Sequence, residues 1–234
     1  MDLSEITPVA QDYLKVIWAA TEWGGPPITA TALAARMGTT TPNVSDTVKR
    51  LAAQGLVEYQ PYKPVMLTER GEKYAIAMVR RHRLLETFLA TTLGYPWEEV
   101  HDEAERLEHA ASETMIERID ALLGHPATDP HGDPIPTATG QISRSINATR
   151  LTHATPGDYE IIRISDADSS QLAGFRRQEI VPGAIVNVAG ADPRQDRVLL
   201  TDADGKAVVL TPEQAGVIWV APSPGVGAAL PCSW

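Results

Sequence analysis

The residues best suited to chemistry in this chain form the run His101-Asp-Glu-Ala-Glu105-Arg-Leu-Glu108-His109. At 3.6 residues per turn, helical spacing puts positions 101, 105, 108 and 109 on one face, so two imidazoles and two carboxylates project together. Such a face can hold a divalent metal. The preceding helical stretch offers His82 and Glu86, four apart, and the first helical stretch offers Asp12, an acid beside the otherwise apolar Tyr13-Leu14. From Ala75 to Pro126 the chain carries ten acidic residues against five basic, with four histidines. A surplus of carboxylates among histidines repels itself unless something positive sits among them. A solvated acidic helix with scattered histidines has the same spacing, so the pattern by itself leaves both readings open.

Composition narrows the choice of ligands. The single cysteine, Cys232, lies in the C-terminal tail, which excludes a disulfide framework and a multi-thiolate metal site within one chain. Any metal site must use oxygen and nitrogen. The chain has 234 residues, 43% of them hydrophobic, enough for one large or two to three small domains with a core. No stretch approaches the roughly 20 uninterrupted apolar residues of a membrane span, and the N-terminus lacks the basic and apolar regions of a signal peptide. A cytoplasmic protein is expected. The net charge of −10 argues against non-specific coating of nucleic acid. Through Tyr74, however, seven basic residues stand against eight acidic, so that segment is nearly neutral.

The elements that must position these groups follow from periodicity and punctuation. Pro8 to Thr21 has helical spacing, with Leu14, Ile17 and Trp18 on one face, and stops at Gly24-Gly25-Pro26-Pro27. A short helix over Thr31 to Met37, a turn at Gly38 to Thr41, and a helix opened by Pro42 and ending at Gln54-Gly55 make a helix-turn-helix. Leu56 to Tyr59 and Val65 to Thr68 read as a hairpin with Lys63 at its tip, a candidate wing. Long helices are expected from Gly71 to about Leu93 and from Trp97 to Leu123. Thr128 to Pro156 is rich in Pro, Gly, Thr and Ser and reads as an ordered loop followed by a linker. Beyond it, Glu160 to Ile164, Ala184 to Val188, Arg197 to Thr201 and Ala207 to Leu210 alternate with turns, as in a small β-barrel.

In a helix-turn-helix the second helix enters the major groove, and here its N-terminal end carries Thr40, Thr41, Pro42, Asn43, Ser45 and Asp46. Lys49, Arg50 and wing residue Lys63 are placed to touch phosphates, although a solvated basic face would look the same. Asp46 either accepts from a cytosine amino group or repels wrong registers.

Taken together, Gln11-Asp-Tyr-Leu14, Met78-Val-Arg-Arg-His-Arg-Leu-Leu-Glu86 and the His101 to His109 motif resemble the diphtheria toxin repressor family, most closely its manganese transport regulator branch in actinobacteria. The resemblance covers nearly the whole chain. It implies an α+β protein with a winged helix-turn-helix DNA-binding domain at 1–74, a helical dimerisation and metal-binding domain at 75–140, a linker at 141–155, and an SH3-like β-barrel domain with a C-terminal tail at 156–234. It further implies a primary metal site at Asp12, Glu105, Glu108 and His109, and an ancillary site at His82, Glu86 and His101, with Asp168 and Gln171 reaching in from the SH3-like domain. Contacts of Thr40 and Pro42 with thymine methyl groups are implied in the same way.

One departure is informative, because iron-responsive members of the family carry a cysteine where Glu105 stands here and a methionine where Asp12 stands. Hard ligands replace soft ones, which suits manganese, with ferrous iron, zinc or other divalent ions able to bind in vitro. The expected function is a manganese-sensing, non-enzymatic repressor that binds double-stranded operator DNA as a homodimer, with no membrane and no small organic ligand. Three alternatives stand beside it. One is an iron-responsive regulator of the same family, and another is a winged-helix regulator triggered by an organic ligand. The third, a metal-dependent hydrolase, finds no His-Glu-x-x-His pattern, nucleophile elbow or Gly-rich phosphate loop to support it.

Overall fold

The structure is a computed structural model that describes residues 2–143, 147–192, 197–202 and 204–223. Cys232 with the C-terminal tail, and residues 144–146 of the expected linker, lie outside the described residues. The chain forms two compact units, the first built from residues up to Leu85, Glu105–Gly124 and Ile135–Ile142, and the second from Glu86–Ala104, His125–Pro134 and the chain from Ser143 onward.

The first unit opens with α1 (Pro8–Glu22), which begins where Thr7 caps the helix and Pro8 occupies its first turn. Its Ala10, Tyr13, Leu14, Ile17 and Trp18 join the core, leaving Asp12 on its half-buried flank. Next come α2 (Ala30–Arg36) and α3 (Thr41–Ala53), each capped by a threonine, Thr29 and Thr40. Val44, Thr47, Val48 and Leu51 face the core from α3. β1 (Val57–Glu58) and β2 (Met66–Leu67) pair antiparallel, Val57 opposite Leu67, and make the short wing.

α4 (Glu69–Thr91) runs on from the wing, and four consecutive polar side chains along it are all engaged within the first unit. Arg80 pairs with Asp120 at 2.9 Å. Arg81 donates to the Glu108 carbonyl at 3.1 Å and to Glu113 at 3.0 Å. His82 meets Glu108 at 2.6 Å, and Arg83 forks onto Glu22 at 2.9 and 2.6 Å. Arg83 and Glu22 are both buried, and removing one partner of such a pair costs about 3–5 kcal/mol, so this contact ties α1 firmly to α4.

The single helix expected from Trp97 to Leu123 is two. α5 (Val100–Leu107) ends before Glu108, and α6 (Glu113–Leu122) restarts after Ser112, whose hydroxyl accepts from Met115 N at 3.2 Å. A serine with its side chain committed to an N-cap marks a new helix start, which apolar spacing on either side obscured. Glu108 and His109 therefore stand in the turn between α5 and α6 and not on the α5 face.

The second unit is built on a six-stranded antiparallel sheet in the order β3-β8-β4-β5-β6-β7, with β3 (Thr149–Arg150), β4 (Gly157–Ile164), β5 (Ile185–Asp192), β6 (Arg197–Asp202), β7 (Ala207–Leu210) and β8 (Ile218–Pro222). Its inward face, including Ile161, Val186, Val188, Val198, Leu200 and Val220, packs with Leu172 and Phe175 of α7 (Ser169–Arg177). A short α8 (Pro212–Gly216), opened by a Thr211–Gln214 capping box, precedes β8. Register shifts at Ile161/Arg163 and Val188/Gly190 bend β4 and β5. Among the described residues the outer strands β3 and β7 do not pair with each other, so the expected barrel is realised as an open, bulged sheet.

Candidate metal centres and nucleic-acid interface

α1 presents Gln11, Asp12 and Lys15 to the end of α5 and the turn beyond it. Glu108 is fully buried, and its two oxygens are both engaged: Oε2 meets His82 Nδ1 at 2.6 Å, and Oε1 accepts from Lys15 Nζ at 2.6 Å. Lys15 also donates to Glu105 Oε1 at 2.6 Å. Burial acts to raise the Glu108 carboxyl, but His82 and Lys15 outweigh it and hold the group below its ordinary range. Burial acts in turn to depress Lys15, and Glu108 and Glu105 outweigh it, so its ammonium is held above its usual range.

The other pole of this cluster is Asp12 with His109. The Gln11 amide donates through Nε2 to the Leu3 and Ile6 carbonyls at 2.8 and 3.2 Å, which turns its Oε1 toward His109 Nδ1 at 2.8 Å. An amide oxygen only accepts, so His109 donates through Nδ1 to Gln11, and the grip on that side of the ring turns Nε2 toward Asp12. That nitrogen lies 2.9 Å from Asp12 Oδ1, yet this buried oxygen has no hydrogen-bond partner. Burial is also the chief reason the Asp12 carboxyl sits above its usual range, against the opposing pull of His109 and Lys15. A buried carboxylate oxygen without a hydrogen bond beside an imidazole nitrogen is the donor pair that a divalent cation takes. Ligand atoms of Asp12, Glu108 and His109 lie within 4.8 Å of one another, as do those of His82, Glu105 and Glu108.

The second unit holds a separate cluster. His101 Nδ1 lies 3.2 Å from Glu86 Oε1 and 3.1 Å from Asp166 Oδ2. Burial acts to lower the His101 imidazole, but Asp166 and Glu86 override it and push it up to about 11. Asp166 itself is held far below the usual carboxylate range, its burial outweighed by His101 with His131 and Arg163 behind it. Glu86, Asp129 and His131, all buried, also bring ligand atoms within 4.8 Å of one another.

The proline-rich loop makes this possible. Asp129 Oδ1 accepts from the backbone N–H groups of His131 and Asp133, both at 2.9 Å, and Gly132 at φ 88° lets the loop touch the Ile162 carbonyl, where a Cβ would stand 2.0 Å away. His131 is stacked on Trp97 and gives its Nε2–H to the Trp97 carbonyl at 2.8 Å. Its buried Nδ1 has no hydrogen-bond partner and stands beside carboxylates.

Of the expected primary ligands, the structure brings Asp12, Glu108 and His109 together and groups Glu105 with Glu108 and His82. His82 turns to Glu108 in the first unit, while Glu86 and His101 meet in the second. Asp168 and Gln171 are not in the cluster: Asp168 is exposed and caps α7, accepting from Ser170 N and Gln171 N at 2.9 and 3.1 Å. Asp166, two residues earlier, stands beside His101 in their place. Sequence reasoning passed over Asp166, Asp129, His131, Lys15 and Gln11. The two loop carboxylates carry no periodic signal, although an Asp-Pro-His-Gly-Asp run in a loop is itself a ligand-rich composition.

Thr40, Thr41, Pro42, Asn43, Asp46, Lys49 and Arg50 are exposed at and along α3, with Ser45 half-buried and Lys63 exposed on the wing. Thr40 Oγ1 serves as the cap of α3, accepting from Asn43 N at 3.5 Å. Asp46 pairs with Lys49 at 3.2 Å one turn on. No helix among the described residues is long and apolar enough to cross a membrane.

Residues 5–65 match the family domain described as iron dependent repressor, N-terminal DNA binding domain, and residues 68–137 match iron dependent repressor, metal binding and dimerisation domain. The chain is similar to the iron-dependent repressor IdeR of Mycobacterium tuberculosis, 40% identical over 201 residues that cover 80% of this chain and 86% of that one. Among solved structures it resembles a manganese-dependent transcriptional repressor in complex with manganese, with a TM-score of 0.85, 45% identity, and 91% and 99% of the two chains covered. ScaR with bound Zn2+ is also similar, with a TM-score of 0.78, 33% identity, and 92% and 99% covered.

Proposed function

Since the chain belongs to the iron-dependent repressor family, to which the diphtheria toxin repressor also belongs, we propose that it is a manganese-responsive transcriptional repressor that binds operator DNA as a homodimer. The observation that carries this reading is the pairing of Asp12 Oδ1, buried and without a hydrogen bond, with His109 Nε2 2.9 Å away, in a cluster with Glu108, which Glu105 and His82 adjoin in turn. A divalent cation supplies the positive charge that lets these acceptors share one space. Every ligand is oxygen or imidazole nitrogen, the set that suits manganese better than sites built with thiolate or thioether.

The chain's own residues do the rest. Gln11 fixes the His109 tautomer, Arg81 holds the Glu108 turn by its carbonyl, and Arg83 with Glu22 locks α1 to α4. Asp12 is on α1, which packs with α2 and β2 of the winged helix-turn-helix, so its attachment to Glu108 and His109 restrains the DNA-reading elements. In a homodimer that restraint sets the spacing of two α3 helices for successive major grooves, a population shift toward the binding-competent state. Exposed Met115 and Leu122 on α6 are consistent with a dimer surface in the segment matched as a dimerisation domain. Such a regulator acts in the cytoplasm, on genes of manganese uptake.

A second ion is supported in the second unit by the buried His131 Nδ1, without a hydrogen-bond partner, beside Glu86 and Asp129, with His101 and Asp166 adjoining. The iron-responsive alternative draws on the likeness to IdeR, but no thiolate stands among the ligands. Manganese binding followed by loss of the free-ion electron paramagnetic resonance signal tests the reading. The parent should take up manganese and Glu108→Ala should lose the first-unit ion; equal uptake by both would contradict it.

A further inference from the structure

Lys15 sits where a metal-binding cluster should have no cation of its own. Its side chain is only 10% exposed, and its Nζ donates to Glu105 Oε1 and Glu108 Oε1, each at 2.6 Å. The Glu108 oxygen it occupies is the one nearer His109, whose Nε2 lies 3.7 Å away. The remaining Glu108 oxygen is already held by His82. Thus both oxygens of Glu108 are engaged, and one oxygen of Glu105 and one of Glu108 are held by the same ammonium. A divalent ion taking them and the resident ammonium would stand a few ångströms apart, where two positive charges repel strongly in a buried setting.

We propose that Lys15 is a built-in counter-cation that a divalent ion must displace from Glu105 and Glu108, so that it sets the metal concentration at which the protein responds. The inference rests on the metal-site reading above. In the metal-free protein Lys15 neutralises the clustered carboxylates and keeps them together; on loading it gives up those contacts. Because Lys15 lies one turn from Asp12 on the same helix, the exchange of one cation for the other is felt directly by α1.

The test compares manganese affinity of the full-length parent, Lys15→Met and Lys15→Arg by competition with a fluorescent chelator. Lys15→Met removes the competitor and should bind manganese about tenfold more tightly or better, on the scale by which neighbouring groups tune metal sites, while Lys15→Arg stays near the parent. Unchanged or weaker binding by Lys15→Met overturns the proposal. Should that variant fail to fold, lysine ammonium NMR on the parent follows Nζ directly, with cadmium as the diamagnetic probe. The Lys15 signal, protected without metal, should shift and lose its protection as cadmium binds; a Lys15 signal undisturbed by bound cadmium overturns the proposal while leaving the metal site intact. A parent that binds neither manganese nor cadmium overturns the metal-site reading as well.

Discussion

Asp12 Oδ1 and His109 Nε2 face each other 2.9 Å apart, the carboxylate oxygen buried and without a hydrogen bond, the ring held from its far side by Gln11 at Nδ1. One residue belongs to the first helix of the DNA-binding half and the other to the turn between α5 and α6. Asp12→Ala removes the carboxylate from the α1 side of this pair. Its folding stability should change little, because burial already disfavours the ionised carboxylate, whereas the gain in operator affinity on adding manganese should collapse to about onefold from a coupling expected at roughly 5- to 150-fold. Thermal melts beside operator titrations separate the two effects.

Glu105→Cys places a soft ligand in an otherwise hard set. Zinc or ferrous iron should then be favoured over manganese relative to the parent, read as the ratio of metal concentrations giving half-maximal operator binding. A ratio that does not move would show that Glu105 does not ligate.

The wing and α3 invite an electrostatic test. Lys49 is exposed and pairs with Asp46 when DNA is absent. If it turns to phosphate on binding, Lys49→Ala should weaken operator and random DNA alike and lower the slope of log affinity against log salt by about 1. Loss confined to the operator would instead mark a base contact.

These expectations were legible to different degrees. The helix-turn-helix could be read because α3 alternates core residues such as Val44, Val48 and Leu51 with polar ones at helical period and is bounded by Pro42 and Gly55. The ligand set of the first unit was legible as residue types, since histidines and carboxylates near each other repel or ligate. The break after Leu107 was not, because Ser112 announces itself only through its cap. The choice of Asp166 over Asp168 depends on where β4 ends and α7 begins, and α7 itself gave no strong periodic signal. Lys15 escaped notice because a lysine among apolar helix residues usually reaches solvent, and here two carboxylates hold it in.

His101 supplies a pH signature. Its folded value of about 11 lies above the ordinary 6.5, so in the metal-free protein its ion pairs with Asp166 and Glu86 contribute stability that is complete below about pH 6.5 and declines steadily as pH rises through about 11. His101→Gln should therefore cost more stability at pH 6 than at pH 10 in denaturant melts. Metal uptake at this cluster needs neutral His101 and releases its proton, so affinity there should rise by up to about tenfold per pH unit between pH 6 and 8. A pH-independent affinity would remove His101 from the ligands.

The most direct measurement is operator-fragment binding by fluorescence anisotropy at fixed salt, with chelated protein compared against protein at buffered free manganese, ferrous iron and zinc. A steep rise in affinity as manganese occupies the Asp12–His109 cluster is predicted, and DNA binding indifferent to every metal would contradict the account.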